Sequence, residues 1–360
     1  MKIAEKALLI CALLILLIQT FACAGENSAK KESNDIATII KPKVVTDPVP
    51  HDTDDPAIWI NSKNLKNSLI VGTDKDIDGG LYVFNLEGHI LADKTVKPLK
   101  RPNNVDVEYG LNLAGKAVDI AVVTERLSHK LRIFRMPDMS PVDNGGIEVF
   151  KGETGPNERD LMGISLYKRT DGAVFAIVGR KTGPSGTYLW QYLLYDDGSG
   201  NVKATLVRKF GKFSGKNEIE AIAVDDLLGY VYYSDEGVGV RKYYADPSKG
   251  NEELALFATE GFTEDHEGIS IYNKTPTTGY IIVSDQGADK FQIFPREGTA
   301  DNPNRHPLLK VVKLAAHESD GSEVTPLSLN DLFPEGLFVA MSNDRTFQYY
   351  SCKDIIGDLK

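Results

Sequence analysis

The sequence predicts an all-β fold, a six-bladed β-propeller with four-stranded blades, on three observations. First, a hairpin pattern is written twice, as EIEAIAVDDLLGYVYYSDEG over 218–237 and DHEGISIYNKTPTTGYIIVSDQG over 265–287. Each copy reads acid, small residue, alternating apolar strand, Gly-bearing turn, second apolar strand, then Ser-Asp-x-Gly. Second, weaker copies recur at intervals of 48, 58, 58, 47 and 68 residues, anchored on Ala57, Val105, Gly163, Ala221, Gly268 and Gly336. Third, no long amphipathic helix interrupts them, and strand-like runs between the hairpins bring each unit to about four strands. Periods of about 40–50 residues with four strands signify propeller blades. Two β-sandwiches would need no such period.

Taken in chain order, residues 1–24 read as an export signal. Lys2 and Lys6 precede an apolar run, Ala7 to Ile18, too short for a membrane span. Two processing patterns overlap. Ala22-Cys23-Ala24 fits ordinary cleavage, whereas Thr20-Phe21-Ala22-Cys23 is a loose lipobox that would anchor the chain to a membrane through a lipid on Cys23. The lipobox is favoured, because a cysteine there has no other use. The expected location is an outer-membrane or periplasmic lipoprotein, or a secreted protein. Residues 25–46 read as a flexible tether, and 47–355 as a single propeller domain.

Blade one opens with DDPAIWINSKNLKNSLIVGTDK at Asp54, blade two with NNVDVEYGLNLAGKAVDIAVVTER at Asn103, and blade three with LMGISLYKRTDGAVFAIVGRK at Leu161. The two clear copies are blades four and five. PEGLFVAMSND, 334–344, keeps the second strand of blade six, after a distorted first strand near ESDGSEV, 318–324. GLYVFNLEG, KLRIFRM, YLWQYLLYDDG, VRKYYA and FQIFPREG supply outer strands, and the aromatic runs YLWQY and FQYY are expected to pack between blades.

The composition, 42% hydrophobic and 26% charged, is globular. A net charge of −10 argues against a nucleic-acid partner and suits a protein that holds cations. Of Cys11, Cys23 and Cys352, only Cys352 falls in the folded part, so no intradomain disulfide or cysteine zinc site is expected. The RKTGPSG and SGKN turns do not fit a P-loop, and neither G-x-S-x-G nor H-E-x-x-H occurs. His266 reads as a surface histidine.

In a hairpin the start of the first strand and the end of the second meet at one end. Inner hairpins surround a propeller axis, so these ends form one mouth. Blade one brings Asp54, Asp55 and Lys75, and blade two Asn104, Asp106 and Arg126. Blade three brings Met162, Arg180 and Lys181. Blade four brings Glu220, Asp235 and Glu236, blade five Asp265, Glu267 and Asp285, and blade six Asp320, Glu335 and Asn343. Bases come from blades one to three and carboxylates from four to six. Oxygen-only clusters suit hard cations such as Ca²⁺. Lys and Arg beside them suit phosphate oxygens.

These residues resemble the β-propeller phytases, bacterial calcium-dependent phosphatases that hydrolyse myo-inositol hexakisphosphate (phytate). DDPAIW, NNVD, the Arg126 segment, EGISIY and FPEGLFVA occur in the family's order, from Asp54 to Ala340. The resemblance implies several bound Ca²⁺ ions, with Asp54, Asp55, Asn104, Asp106, Glu220, Glu236, Asp265, Glu267 and Asp320 as metal-site residues. Glu220, Glu267 and Asp320 are the ones it places at the reaction itself. It implies Lys75, Arg126 and Arg180 as phosphate-binding bases, with Lys181 as added positive charge. This chain departs from the family where Met162 replaces a tyrosine, Lys181 replaces a glutamate, and Asp76 follows Lys75 in place of a second lysine. The expected function is an exported, monomeric, calcium-dependent phosphomonoesterase acting on phytate or other inositol phosphates. A calcium-dependent propeller lactonase or esterase, and a non-catalytic binding propeller, are the alternatives.

Overall fold

The computed structural model describes residues 38–263, 265–357 and 359; the export signal and Cys23 lie outside them. Among the described residues the strands form six antiparallel sheets. Blade one is Thr53–Trp59, Leu69–Asp74 and Gly80–Phe84. Blade two is Pro102–Leu113, Lys116–Glu125 and Lys130–Arg135, with short strands Ser140–Pro141 and Ile147–Glu148 on its outer edge. Blade three is Leu161–Lys168, Val174–Arg180, Leu189–Asp196 and Val202–Phe210. Blade four is Ile222–Asp225, Tyr230–Asp235, Gly239–Tyr244 and Ala255–Phe257. Blade five is His266–Tyr272, Tyr280–Asp285, Lys290–Pro295 and Lys310–Lys313. Blade six is Ser322–Thr325, Leu337–Ser342 and Thr346–Ser351, completed by Val44–Val45.

The six-bladed expectation holds, with three adjustments. Blade one has three regular strands, and only the isolated bridges Leu81 to Val96 and Phe84 to Ile90 continue it. The tether expected over 25–46 ends earlier, because Val44 and Val45 pair with Tyr349 and Gln348 and join the chain's beginning to its last blade. The inner strand of blade six starts at Ser322, so its anchor is Gly321 rather than Gly336. That shortens the last interval into the range of the others. Glu335 therefore precedes the second strand at the far end from the mouth, where Lys353 pairs with it.

Each inner strand packs against the next, and the sixth against the first. The apolar core follows the same circle. Strand alternation gives every sheet two apolar faces, and the six buried clusters each fill one gap between neighbouring blades. Trp190 fills the gap between blades two and three, and Tyr350 with Cys352 that between five and six, as expected of the aromatic runs and the lone cysteine.

One buried ion pair crosses from blade four to blade five. Arg296 donates from Nε and Nη2 to the two carboxylate oxygens of Asp225, each at 2.5 Å, and both side chains are fully buried. The remaining guanidinium nitrogen bonds the carbonyl of Thr275 at 3.0 Å. Asp225→Ala leaves a buried guanidinium without its counter-charge, and should cost about 3–5 kcal/mol of stability, read by denaturant unfolding.

Candidate active site

In blades one, two, three and five the inner strand carries a β-bulge at its mouth end. The pairing register slips between Thr53 and Pro56, Pro102 and Val105, Leu161 and Ile164, and His266 and Ile269. A bulge inserts a residue and re-aims its side chains. The residues so presented include Asp54, Asn103, Asn104, Met162 and Glu267, with Glu220 and Asp320 just ahead of the inner strands of blades four and six. Neighbouring corners bond directly: Gly268 N donates to Asp320 O at 2.5 Å, and Gly321 N to Asp54 O at 3.1 Å. The glycine that follows Met162 and the one that follows Glu267 have a steric cause. A Cβ on Gly163 would lie 1.7 Å from the Glu220 carbonyl oxygen, and one on Gly268 2.6 Å from that of Asp320.

The second strand ends in two residues with separate tasks. Asp74, Glu125, Arg180 and Asp285 share one register position, opposite Thr53, Pro102, Leu161 and His266. The acids there cap the loop that enters the inner strand. Asp74 accepts from His51 N and Asp52 N at 3.0 and 2.8 Å, Glu125 from Lys100 N at 2.8 Å, and Asp285 from Thr263 N at 2.9 Å. Asp235 does the same for Ser214 N at 3.0 Å and also binds Arg241 at 2.8 Å. Asp235 and Asp285 are thus structural caps, not mouth ligands. In blades one to five the following residue faces the mouth instead: Lys75, Arg126, Lys181, Glu236 and Gln286.

This division corrects the expectation for Arg180, which occupies the cap position. Its guanidinium is fully buried, bonds Glu153 at 2.8 Å and the Glu158 carbonyl at 3.2 Å, and lies against the rings of Phe150 and Trp190. Its donors face away from the mouth, and Lys181 stands there instead, paired with Glu218 at 2.8 Å. Asp106 also departs from expectation. It lies deeper on the channel wall, satisfied by Ser165 Oγ at 3.0 Å and by Leu166 N at 2.7 Å. Asp55 likewise faces the channel and accepts from Val105 N at 3.0 Å. Both line an axial cavity of about 290 Å³ bordered by all six inner strands. Asp265 accepts from Asn217 Nδ2 at 2.5 Å on the loop before blade five, and Asn343 bonds Glu318 at 2.6 Å on the exposed rim. His266 is buried, not on the surface. Its ring stacks on Phe262 and bonds the Ala258 carbonyl at 2.6 Å.

The structure brings Asp54, Asn104, Glu220, Glu236, Glu267 and Asp320 together with Lys75 and Arg126. Lys75 Nζ donates to Asp54 Oδ1 at 2.5 Å and approaches Asp320 Oδ2 at 3.4 Å. Asn103, which the sequence reading passed over, is fully buried. Its amide nitrogen donates to Glu220 and to Asn104 Oδ1, and its oxygen accepts from Arg126. Arg126 is further held by the Leu161 carbonyl at 3.2 Å. Gln286, the repeat equivalent of Lys75 and Glu236, donates to Asp320. Completing the repeat by one residue past Asp285 would have found it.

Burial and mutual repulsion push these acids upward. Desolvation, then Asp320, raises Asp54 to about 6 against the pull of Lys75, and desolvation, then Asp54, raises Glu220 to about 7. Glu236 goes to about 8 and Glu267 well above the carboxylate range, both by burial first and by their neighbours' charges. Burial would pull the Lys75 ammonium down, but Asp54, Glu220 and Asp320 outweigh it and hold it above the ordinary lysine value. Carboxylate oxygens of Glu220, Glu236 and Glu267 lie within 4.8 Å of one another. Glu236 Oε1, Glu267 Oε2 and Asp54 Oδ2 are buried with no hydrogen-bond partner. Orphaned acceptors converging at this spacing are the donor set of a hard cation, so the residues fit calcium.

Residues 6–350 match the family model described as Phytase. The chain is 29% identical to a 3-phytase of Bacillus subtilis (strain 168) over 357 aligned residues, covering 96% of this chain and 88% of that protein. Among solved structures it is similar to the Dos1 propeller (TM-score 0.42, 11% identity, 83% of this chain and 67% of that one). It is also similar to the WD40 β-propeller domain of Doa1 (TM-score 0.46, 11% identity, 86% and 96%). Those two likenesses add nothing to the fold that the six sheets define. With a family match over nearly its whole length, the chain belongs to the phytase family of hydrolases.

Proposed function

We propose that this protein is an exported, calcium-dependent phosphomonoesterase that hydrolyses phytate to lower inositol phosphates and orthophosphate. One observation carries the reading: orphaned, buried carboxylate oxygens converge beside a lysine and an arginine at the centre of the ring. Glu220, Glu236 and Glu267 would hold calcium, with Asp54 and Asp320 at its edge. Bound there, calcium supplies positive charge to phosphate oxygens and lowers the pKa of a water.

The chain's own groups do the rest. Arg126 is fixed on one side by Asn103 and the Leu161 carbonyl, so its remaining N–H groups are presented for a phosphate without further ordering. Lys75 is a point charge between Asp54 and Asp320 and balances part of their repulsion. Asn103 orients Arg126 and Glu220 together, tying the base that grips the substrate to the acid that holds the cation. Gln286 fixes the Asp320 carboxylate. A substrate with several neighbouring phosphates suits a mouth in which Lys75 and Arg126 stand beside the acids that would hold the cation. The protein acts as a monomer, exported through residues 1–24 and held to a membrane by Cys23.

In excess chelator the folded state must bury raised acids. An acid whose folded pKa exceeds its unfolded value binds more protons when folded. Its stabilising contribution is therefore present below the unfolded pKa and lost as pH rises through the folded one. Without calcium the melting temperature should fall between about pH 4 and 8, following Asp54, Asp320, Glu220 and Glu236. Calcium should restore it and switch on phosphate release from phytate. Glu220→Gln and Glu267→Gln should abolish most turnover while remaining folded. Chelator-insensitive activity, or calcium-dependent lactone opening without phosphate release, would overturn the reading.

Arg126→Ala should lower kcat/KM for phytate by about ten- to a hundredfold at a temperature where the variant is fully folded, since an arginine–phosphate pair contributes about 1.5–3 kcal/mol. Arg126→Lys should recover only part of this, because an ammonium lacks the bidentate fork. Equal kcat/KM in all three would assign Arg126 a purely structural role.

Lipid attachment is checked by metabolic labelling with a fatty-acid analogue. Label should enter the wild type and be absent from Cys23→Ser, which should leave the membrane fraction. Label-free wild-type protein would mean free secretion.

A further inference from the structure

The outer strands of blades two and three enclose a second groove, of about 550 Å³. Lys130 and Lys151 of blade two and Lys203 and Lys209 of blade three line it, and Glu148 is the one carboxylate among its described lining residues. Lys151 pairs with Glu148 at 3.3 Å and Lys209 lies 3.9 Å from Glu153, so the four ammonium groups keep a positive excess, which stands out in a chain of net charge −10. Lysines also guard exposed edge strands against pairing. That accounts for Lys203 and Lys209 on the outermost strand Val202–Phe210, but not for Lys130 and Lys151, which face the same groove from the neighbouring blade.

The groove has a built wall. Trp190 lines it while only 3% exposed, and its Nε1 has no acceptor among the described residues. Two cations lie against the same ring: Lys209 Nζ at 3.6 Å and the Arg180 guanidinium at 5.7 Å from its centroid. Arg180, which caps rather than grips at the mouth, thus helps to build this wall.

We propose that this groove binds a phosphorylated anion, separately from the axial mouth. Ammonium point charges are donors only, which selects an acceptor-rich ligand. Ile147 and Leu206 line the remainder and suit the carbon frame of a phosphorylated polyol. Two sources share this chemistry, an inositol polyphosphate held beside the mouth and the orthophosphate released there. Binding here needs no metal and no hydrolysis.

The test is calorimetric titration of the whole protein in excess chelator and low salt with myo-inositol hexakisphosphate and, separately, with orthophosphate, followed in parallel by tryptophan fluorescence. Saturable binding with a fluorescence change is expected. It should weaken at least tenfold in Lys151→Ala/Lys203→Ala, a change confined to exposed side chains, and persist in Arg126→Ala. A response to the hexakisphosphate alone identifies the polyanion as ligand, and a response to both identifies the phosphate group. No binding of either ligand, an unaltered isotherm in the double variant, or loss of all binding in Arg126→Ala overturns the proposal. Failure of the wild type to release phosphate would remove the mouth reading and leave this measurement standing.

Discussion

The backbones of neighbouring inner strands approach closely at the axis, and the rest of the ring is arranged around that contact. Six sheets must meet at one axis. Where they meet, the Gly268 and Gly321 amides bond the carbonyls of the next blade, and a Cβ on Gly163 would overlap the Glu220 carbonyl. The strands relieve this crowding with bulges, and the bulges turn acid side chains toward the axis. The geometry that closes the ring is therefore the geometry that makes the site. The caps follow from it as well, because a loop entering so tight a corner needs its amides satisfied, and Asp74, Glu125, Asp235 and Asp285 do so in four blades.

Crowding acids in this way has an electrostatic cost that the fold offsets only in part. Lys75 serves Asp54 and Asp320, Asn103 serves Glu220, and Gln286 serves Asp320. Glu236 and Glu267 keep orphaned oxygens. That residue of unmet charge is where a bound cation would couple its own binding to folding. The ring is also uneven. Blades four to six and blade one contribute carboxylates, whereas blade three contributes Met162 and Lys181 and turns Arg180 outward against Phe150 and Trp190. The acids therefore concentrate on blades four to six and one with Lys75 set among them, while Arg126 and Lys181 stand on the other blades.

The fold was legible because its signals are local and repeated. Alternation wrote both faces of each strand, and the hairpins at 218–237 and 265–287 wrote the period. The losses came where a partner is remote in sequence. Val44 and Val45 read as tether because their pairing residues lie some three hundred positions away. His266 read as a surface residue between two acids, and only the packing of Phe262 and the Ala258 carbonyl buries it.

The sequence by itself determined the six-bladed class, the family, and the residue types that gather at the mouth: Asp54, Lys75, Arg126, Glu220, Glu236, Glu267 and Asp320. The class and the mouth residues follow from periodicity and from which hairpin ends must meet, and the family from motifs that occur in its order; all are properties of the chain's order. Tertiary structure alone decided which of two adjacent residues at a strand end faces the axis. Successive side chains of a strand point to opposite faces, and a bulge shifts that phase by one residue without any mark in the composition. Arg180 and Lys181 differ by a single step along the chain, yet one is buried as a structural cation and the other stands at the mouth. Asn103 acquired its role the same way, since its partners Arg126 and Glu220 come from two other strands that only ring closure brings to it.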